Sequence, residues 1–241
     1  MPKFFDLSIN KNCEKIVLTG ENAHHIGKVL RCRIGDSITV CDGKCTDFVC
    51  TISDISKDEV FLDVQKTEKC KEPSYEAVLY QALPKGDKTE LIIQKAVELG
   101  VRRIVLFSSQ NCVVKFDKKS VNSKLERYNA VSLSAAKQCL RGIVPKIEYL
   151  PDLDSVLEDI SQYDKKILFY EGKNTVFIKS IIKDKMPKSI GFIIGSEGGF
   201  TPKEAEKCAL KGLDLAGLGD RILRTETASL CALAMLMYEE N

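Results

Sequence analysis

The hydrophobic pattern of this chain changes period once, near residue 72, and that change limits the possible folds more than any single motif. Before it, apolar residues fall in short alternating runs: Ile16-Val17-Leu18, Ser37-Ile38-Thr39-Val40, Phe48-Val49-Cys50-Thr51-Ile52 and Val60-Phe61-Leu62-Asp63-Val64. Asp42-Gly43-Lys44 and Lys57-Asp58-Glu59 lie between them and carry turn chemistry. Strands at this spacing predict a small β-barrel. The stretch from His24 to Arg33 interrupts them as a helical or irregular insert carrying Lys28, Arg31 and Arg33. Residues 66–73 are polar and end at Pro73, which predicts a linker and two domains, 1–72 and 73–241.

Beyond residue 73 short apolar runs alternate with helix-length segments. Val78 to Leu83, Ile104 to Phe107, Pro145 to Leu150, Ile167 to Tyr170, Ile190 to Ile194 and Leu213 to Leu215 predict strands. Helices are expected after Asp87-Lys88-Thr89-Glu90, a capping-box-like start, and near 120–140, 153–162, 175–183, 202–211 and 226–239. Thr201-Pro202 with Glu204 is a second capping box, with proline at the first helical position. Such alternation predicts an α/β domain whose parallel sheet is covered by helices, with ligands beyond the carboxyl ends of the strands.

Composition removes several classes. At 241 residues, 44% hydrophobic and 29% charged, the chain is long and apolar enough to build a core, which excludes a disordered or fibrous protein. No apolar run approaches the roughly 18 residues needed to span a bilayer, and the start lacks a secretion signal, so a cytoplasmic protein without a membrane is expected. The 10 cysteines therefore read as reduced thiols. Cys41, Cys45 and Cys50, with His24 and His25 upstream, come nearest to a metal cluster, but no Cys-x-x-Cys pair anchors one and no metal is expected.

Charge is uneven. Residues 73–150 carry 13 basic and 7 acidic side chains, an excess of 6 against a total of +2. Lys115, Lys118, Lys119, Lys124, Arg127, Lys137, Arg141 and Lys146 face only Asp117 and Glu126 over that part of the segment. Such an excess attracts a polyanion by counterion release, although the same residues describe a solvated, lysine-rich helix face.

Two loops at expected strand ends could carry chemistry. Gly195-Ser196-Glu197-Gly198-Gly199-Phe200 permits positive φ and close backbone approach, or serves as a plain helix-entry turn. No nucleotide-phosphate fingerprint is present, and Glu197 would oppose a pyrophosphate. A neutral or cationic ligand fits better. S-adenosylmethionine, which carries a sulfonium and an ammonium, meets that requirement. The second loop, 218–227, holds Arg221 and Arg224 beside Thr225, Glu226 and Thr227. Arg224 could pair with Glu226, or hold a phosphate or a developing oxyanion.

Together these segments resemble the bacterial small-subunit ribosomal RNA uridine N3-methyltransferases, the RsmE family of the SPOUT class. The matching stretches are His24-His25-Ile26 with Val29-Leu30-Arg31; Leu83 to Lys88 with Gln94-Lys95-Ala96 and Glu98 to Val101; Gln138 with Arg141 and Pro145; the glycine loop; and Leu218-Gly219 with Ile222 to Ala228. They stand in the family's order over nearly the whole chain. Three positions depart from the pattern: Ser196 replaces the usual proline, Asn111 a common arginine, and Ser134 a frequent glutamate.

The resemblance implies a PUA-like RNA-binding barrel followed by a SPOUT α/β domain with a trefoil knot, acting as a homodimer on 16S ribosomal RNA in the small subunit. It implies that S-adenosylmethionine is held by Phe169 and Glu171, by Gly195, Ser196, Glu197, Gly198 and Gly199, and by Leu218, Gly219, Ile222, Leu223, Arg224 and Thr225. The methyl group would pass to uracil N3, with Arg141 and Arg224 the catalytic candidates and Arg221 a weaker one. Lys3, His25, Lys28, Arg31, Arg33, Lys85, Lys115, Gln138 and Arg141 would meet RNA. The competing readings are a ribose 2′-hydroxyl methyltransferase of the same fold, a non-enzymatic RNA-binding protein, and a nicotinamide-dependent oxidoreductase, which lacks its phosphate fingerprint here.

Overall fold

A computed structural model describes residues 1–10, 12–117, 120–173, 175–182 and 187–240. The chain divides into two compact units, Met1–Glu72 with Ala136–Val144, and Pro73–Ala135 with Pro145–Asn241. Residues 136–144, including Gln138 and Arg141, thus group with the amino-terminal unit rather than with the sequence around them.

The first unit contains strands β1 (Lys3–Phe5), β2 (Lys15–Thr19), β3 (Ser37–Cys41), β4 (Thr46–Ile55) and β5 (Glu59–Lys69). They form one sheet in the order β1-β3-β4-β5-β2, a half-barrel in which only the β1–β3 pair is parallel. β2 shows why: Ile16 and Leu18 point into the core while Val17 between them stays exposed. The turn before β4 is held by Asp42, whose carboxylate accepts from the N–H groups of Lys44 and Thr46. The insert between β2 and β3 is helix α1 (Gly20–His24) running into a single π-helical turn (His25–Val29). Ile26 anchors it in the core, fully buried beside Phe4, Leu18, Ile38 and Phe48. Arg31 then adopts a left-handed conformation, φ 54°, which is unfavourable for a side chain without glycine's freedom.

In the second unit come β6 (Glu76–Ala82), helix α2 (Lys88–Glu98), β7 (Arg103–Phe107), α3 (Val121–Gln138), β8 (Lys146–Leu150), α4 (Leu153–Asp159) and β9 (Lys165–Phe169). The chain continues through β10 (Val176–Phe177), α5 (Ile178–Ile181), β11 (Ser189–Ile194), α6 (Pro202–Leu210), β12 (Asp214–Gly217) and α7 (Thr225–Glu240). Seven strands form a wholly parallel sheet in the order β10-β12-β9-β11-β6-β7-β8. Its central strands β6 and β11 are buried along almost their whole length, as strands covered on both faces must be. Because β12, β9 and β11 are neighbours, the loops leaving their carboxyl ends lie side by side.

Two local expectations are corrected. The Asp87 side chain makes no cap hydrogen bond, because its backbone (φ −87°, ψ 6°) is not in the extended conformation from which a cap side chain turns back onto the helix. The expected helix over 175–183 is instead the short strand β10, paired with β12, followed by the four-residue α5. Val176-Phe177 is β-branched and aromatic, and an open sheet edge claims it. Residue 183 lies outside the described residues. No helix among the described residues is long and apolar enough to cross a membrane.

The start of α6 follows its sequence signal. Thr201 Oγ1 accepts from Glu204 N at 3.2 Å, and Glu204 Oε2 accepts from Thr201 N at 2.9 Å, completing the capping box. At the other end Gly212, φ 79°, lets the N–H of Leu213 return to Cys208 O and its own N–H to Ala209 O. Thr201→Ala is expected to cost about 1 kcal/mol, read as a melting temperature lower by about 2–4 °C for a chain of this size. A thermal melt by circular dichroism checks it.

Candidate active site and nucleic-acid surface

The adjoining loops after β9, β11 and β12 enclose a cavity of about 450 Å³, within the range of small-molecule sites. β9 is the middle strand of the three, so its loop, with Phe169, Tyr170, Glu171 and Thr175, joins the lining between the other two. From the glycine loop come Gly195, Ser196, Glu197 and Gly199, and from the third loop Leu218 to Thr225. Every residue expected at the cofactor except Gly198 lines this space. Gly198 turns outward, its carbonyl accepting from Asn111 Nδ2 at 2.8 Å. Tyr170 and Asp220, within the expected stretches 169–171 and 218–225, line it too. Thr175 lay outside them, and a strand ending at Phe169 points to it only once β9 is known to sit between β12 and β11.

Gly199 is favoured where it stands by its left-handed φ of 57°, and a Cβ there would also push against the Glu171 carboxylate. Ser196 is 7% exposed and its hydroxyl has no hydrogen-bond partner among the described residues, an orphan that a ligand in the cavity can satisfy. Arg224 is exposed at the rim and has no ion-pair partner among the described residues. Glu226, its possible partner by sequence, lies 3.5 Å from Lys88 instead.

Two expected sites are occupied by the fold itself. The Arg141 side chain is 8% exposed and forms a bidentate pair with Glu72, Nη2 to Oε2 at 2.6 Å and Nε to the same carboxylate at 2.9 Å. Glu72 also accepts from Gly142 N. The Arg141 charge is thus compensated within the first unit. Lys3, also 8% exposed, is paired with Asp47 at 2.8 Å and is no free contact for RNA phosphate. Among the described residues Cys41, Asp47 and Cys70 bring ligand atoms within 4.8 Å of one another. The Lys3 ammonium already stands among them, 3.8 Å from Cys70 Sγ, where a metal ion would have to bind. Burial pushes the Cys41 thiol up to about 11, which keeps it protonated at neutral pH.

The remaining candidate RNA contacts are exposed. In the first unit His25, Lys28, Arg31 and Arg33 share the insert with the π-helical turn, and Gln138 is also exposed. In the second, Lys85 and Lys115 are exposed, and Lys124 lies 4.3 Å above the ring of Phe116. Lys118 and Lys119 lie outside the described residues.

Comparison with known proteins decides the family. Residues 71–237 match the model described as an RNA methyltransferase domain, and residues 18–65 that of an RNA methyltransferase PUA domain. The ribosomal RNA small subunit methyltransferase E of Bacillus subtilis is 36% identical over 230 residues, 92% of this chain and 89% of the relative. The chain belongs to the ribosomal RNA small subunit methyltransferase E family. The member from Buchnera aphidicola subsp. Acyrthosiphon pisum is 36% identical over 96% of this chain and 89% of its own. A crystal structure of the Neisseria gonorrhoeae methyltransferase E, described as bound to S-adenosyl methionine, superposes with a TM-score of 0.84 at 26% identity, covering 99% of this chain and 98% of that one.

In this chain the glycine loop is clamped electrostatically. Glu197 accepts from Lys88 Nζ at 2.7 Å and from Lys85 N at 3.1 Å, while Lys88 also faces Glu226. Burial favours the neutral carboxyl, but the Lys88 ammonium and the backbone N–H groups hold Glu197 below its ordinary value of 4.5. A carboxyl whose pKa is depressed on folding stabilises the native state fully above its unfolded pKa, and the contribution is lost as pH falls through the folded value. Glu197→Gln should therefore lower the melting temperature at pH 7, and the gap to the parent should narrow below pH 4.5. Thermal melts between pH 7 and pH 3 read this directly, and a gap indifferent to pH would contradict the account.

Proposed function

We infer that this chain transfers the methyl group of S-adenosylmethionine to N3 of a uridine in 16S ribosomal RNA, working in the cytoplasm as a homodimer whose sheet carries a trefoil knot. The observation that carries the reading is the cavity formed by adjacent loops after β9, β11 and β12 in a chain of this family. The lining suits such a donor. Gly199 lets the backbone approach closely, the Ser196 hydroxyl lacks a partner among the described residues, and Glu171 and Asp220 supply negative charge for a cationic ligand. When bound, S-adenosylmethionine supplies an electrophilic methyl on its sulfonium.

The other steps belong to the chain and the base. Uracil N3 is an imide nitrogen and becomes nucleophilic only after losing its proton, with the resulting charge spread over O2 and O4. Arg224, at the cavity and without an ion-pair partner among the described residues, is placed to hold that anion. The loops fix the attack geometry, which supplies the alignment part of the acceleration. N3 is hidden in a Watson-Crick pair, so the target nucleotide is unpaired or turned outward. Exposed Lys28, Arg31, Arg33, Lys85 and Lys115 hold the RNA backbone.

Ribosomal RNA from a strain lacking this gene should lack one 3-methyluridine, restored by the purified protein with S-adenosylmethionine and scored by nucleoside mass spectrometry. A restored 2′-O-methylnucleoside instead would move the acceptor to ribose. Arg224→Ala should lower kcat by about 100-fold or more, the scale of losing one oxyanion donor. Replacing Lys28 or Arg33 should weaken RNA binding and reduce the slope of log K against log salt by roughly one per lost phosphate contact, without changing which base is modified. Binding that is indifferent to salt would remove these residues from the RNA surface.

A further inference from the structure

We propose that Gln81 is a positioning residue that sets the spacing of the two donor-gripping loops from the centre of the sheet. Gln81 is on β6, in register with Ile194 of β11, one residue before the glycine loop begins. It is fully buried, so no solvent competes for its carboxamide. Its Nε2 lies 2.8 Å from Ala82 O and 2.9 Å from Thr225 Oγ1. The Thr225 hydroxyl in turn donates to Gly195 O at 2.6 Å. Ser229 Oγ, one turn along α7, donates to Gln81 Oε1 at 2.5 Å.

The donor and acceptor inventory fixes the direction of this chain. A carboxamide has two N–H groups and one carbonyl, and a threonine hydroxyl has one hydrogen. With the Thr225 hydrogen directed at Gly195 O, Thr225 Oγ1 must accept from Gln81. The second Gln81 hydrogen goes to Ala82 O, which anchors the amide to its own strand. One side chain therefore links the first residue of the glycine loop, the last residue of the arginine loop and the first turns of α7. The Gln81 bonds to Ala82, Thr225 and Ser229 are buried, and bonds in such a setting reinforce one another. Gly195 and Thr225 both line the cavity, whereas Gln81 and Ser229 do not. Gln81 thus acts on the donor only through the loops it holds.

The inference rests on the donor reading above, and the test separates the two. Gln81→Met keeps the approximate size and removes every polar contact. In isothermal titration with S-adenosylmethionine the parent binds and the folded variant is expected to bind at least tenfold more weakly. Steady-state assays should show the KM for S-adenosylmethionine raised by a similar factor with the KM for RNA changed less than twofold. A merely structural role would instead lower the active fraction, reducing kcat with both KM values unchanged. Should Gln81→Met not fold, Ser229→Ala removes the partner of Gln81 Oε1, together with the Ser229 contact to the Thr225 carbonyl at 2.9 Å, while leaving the Thr225–Gly195 contact, and a threefold or larger loss of donor affinity is expected. Donor affinity within twofold of the parent in a folded variant overturns the positioning role while the donor reading stands. A parent that takes up no S-adenosylmethionine overturns both.

Discussion

The hydrogen bond from the Thr225 hydroxyl to the carbonyl of Gly195, 2.6 Å long, joins two loops that are 30 residues apart in the chain. Loops at the carboxyl edge of a parallel sheet leave strands whose own hydrogen bonds are complete, so nothing in the sheet itself fixes how one loop faces the next. Side chains reaching up from the sheet or across from a helix must do it. Gln81 does so from below and Lys88 does so from the side, bridging Glu197 of the first loop and Glu226 of α7. The two devices differ in kind. The carboxamide contacts are short, neutral and shielded from water, whereas the Lys88 bridge is partly exposed and screened by salt. The inner device therefore sets geometry, and the outer one adds strength that varies with ionic conditions.

How far the sequence disclosed this arrangement depends on the range of the interactions involved. Alternation in Ile16-Val17-Leu18 and the Asp42-Gly43-Lys44 turn are local, and the half-barrel follows them closely. The Thr201-Pro202 capping box is likewise local and forms as written. The loops around Gly195 and Arg224 stand out in the sequence because glycine density and strand ends are sequence properties. Their shared cavity was not, since it depends on the strand order β12-β9-β11, and that is a tertiary fact. Gln81 read as an ordinary residue within an apolar run, and its partners lie 114 to 148 positions away.

The two paired cations illustrate the same limit. Lys3 and Arg141 look like their exposed neighbours in sequence, and nothing nearby reveals Asp47 or Glu72 as partners. A basic side chain beside an apolar run can point outward, or be carried inward and compensated. Only the second leaves it 8% exposed. Removing one member of such a pair strands a buried charge, which costs several times more than a surface pair contributes. The two pairs tie β1 to β4 and residue 141 to residue 72, so these cations hold the first unit together.

The charge at the cavity explains why a glycine-rich loop ahead of a helix does not make this a nucleotide-phosphate site. Phosphate binding at such a loop uses the free N–H groups and positive end of the following helix. At α6 the N–H of Glu204 is taken by Thr201, and the Glu204 carboxylate accepts from the N–H groups of both Thr201 and Gln110. The helix end is thus neutralised from within the fold, and Glu171, Glu197 and Asp220 line the cavity beside it against Arg221 and Arg224. At 4 Å, one unit charge against another is worth about 1 kcal/mol in bulk water and about 4 kcal/mol at an effective dielectric near 20. A pyrophosphate meeting these carboxylates bears that as repulsion, and a sulfonium with an ammonium gains it as attraction. With Glu197 bridged to Lys88 and with Arg221 and Arg224 in the same lining, the carboxylates left to meet a cation are those of Glu171 and Asp220.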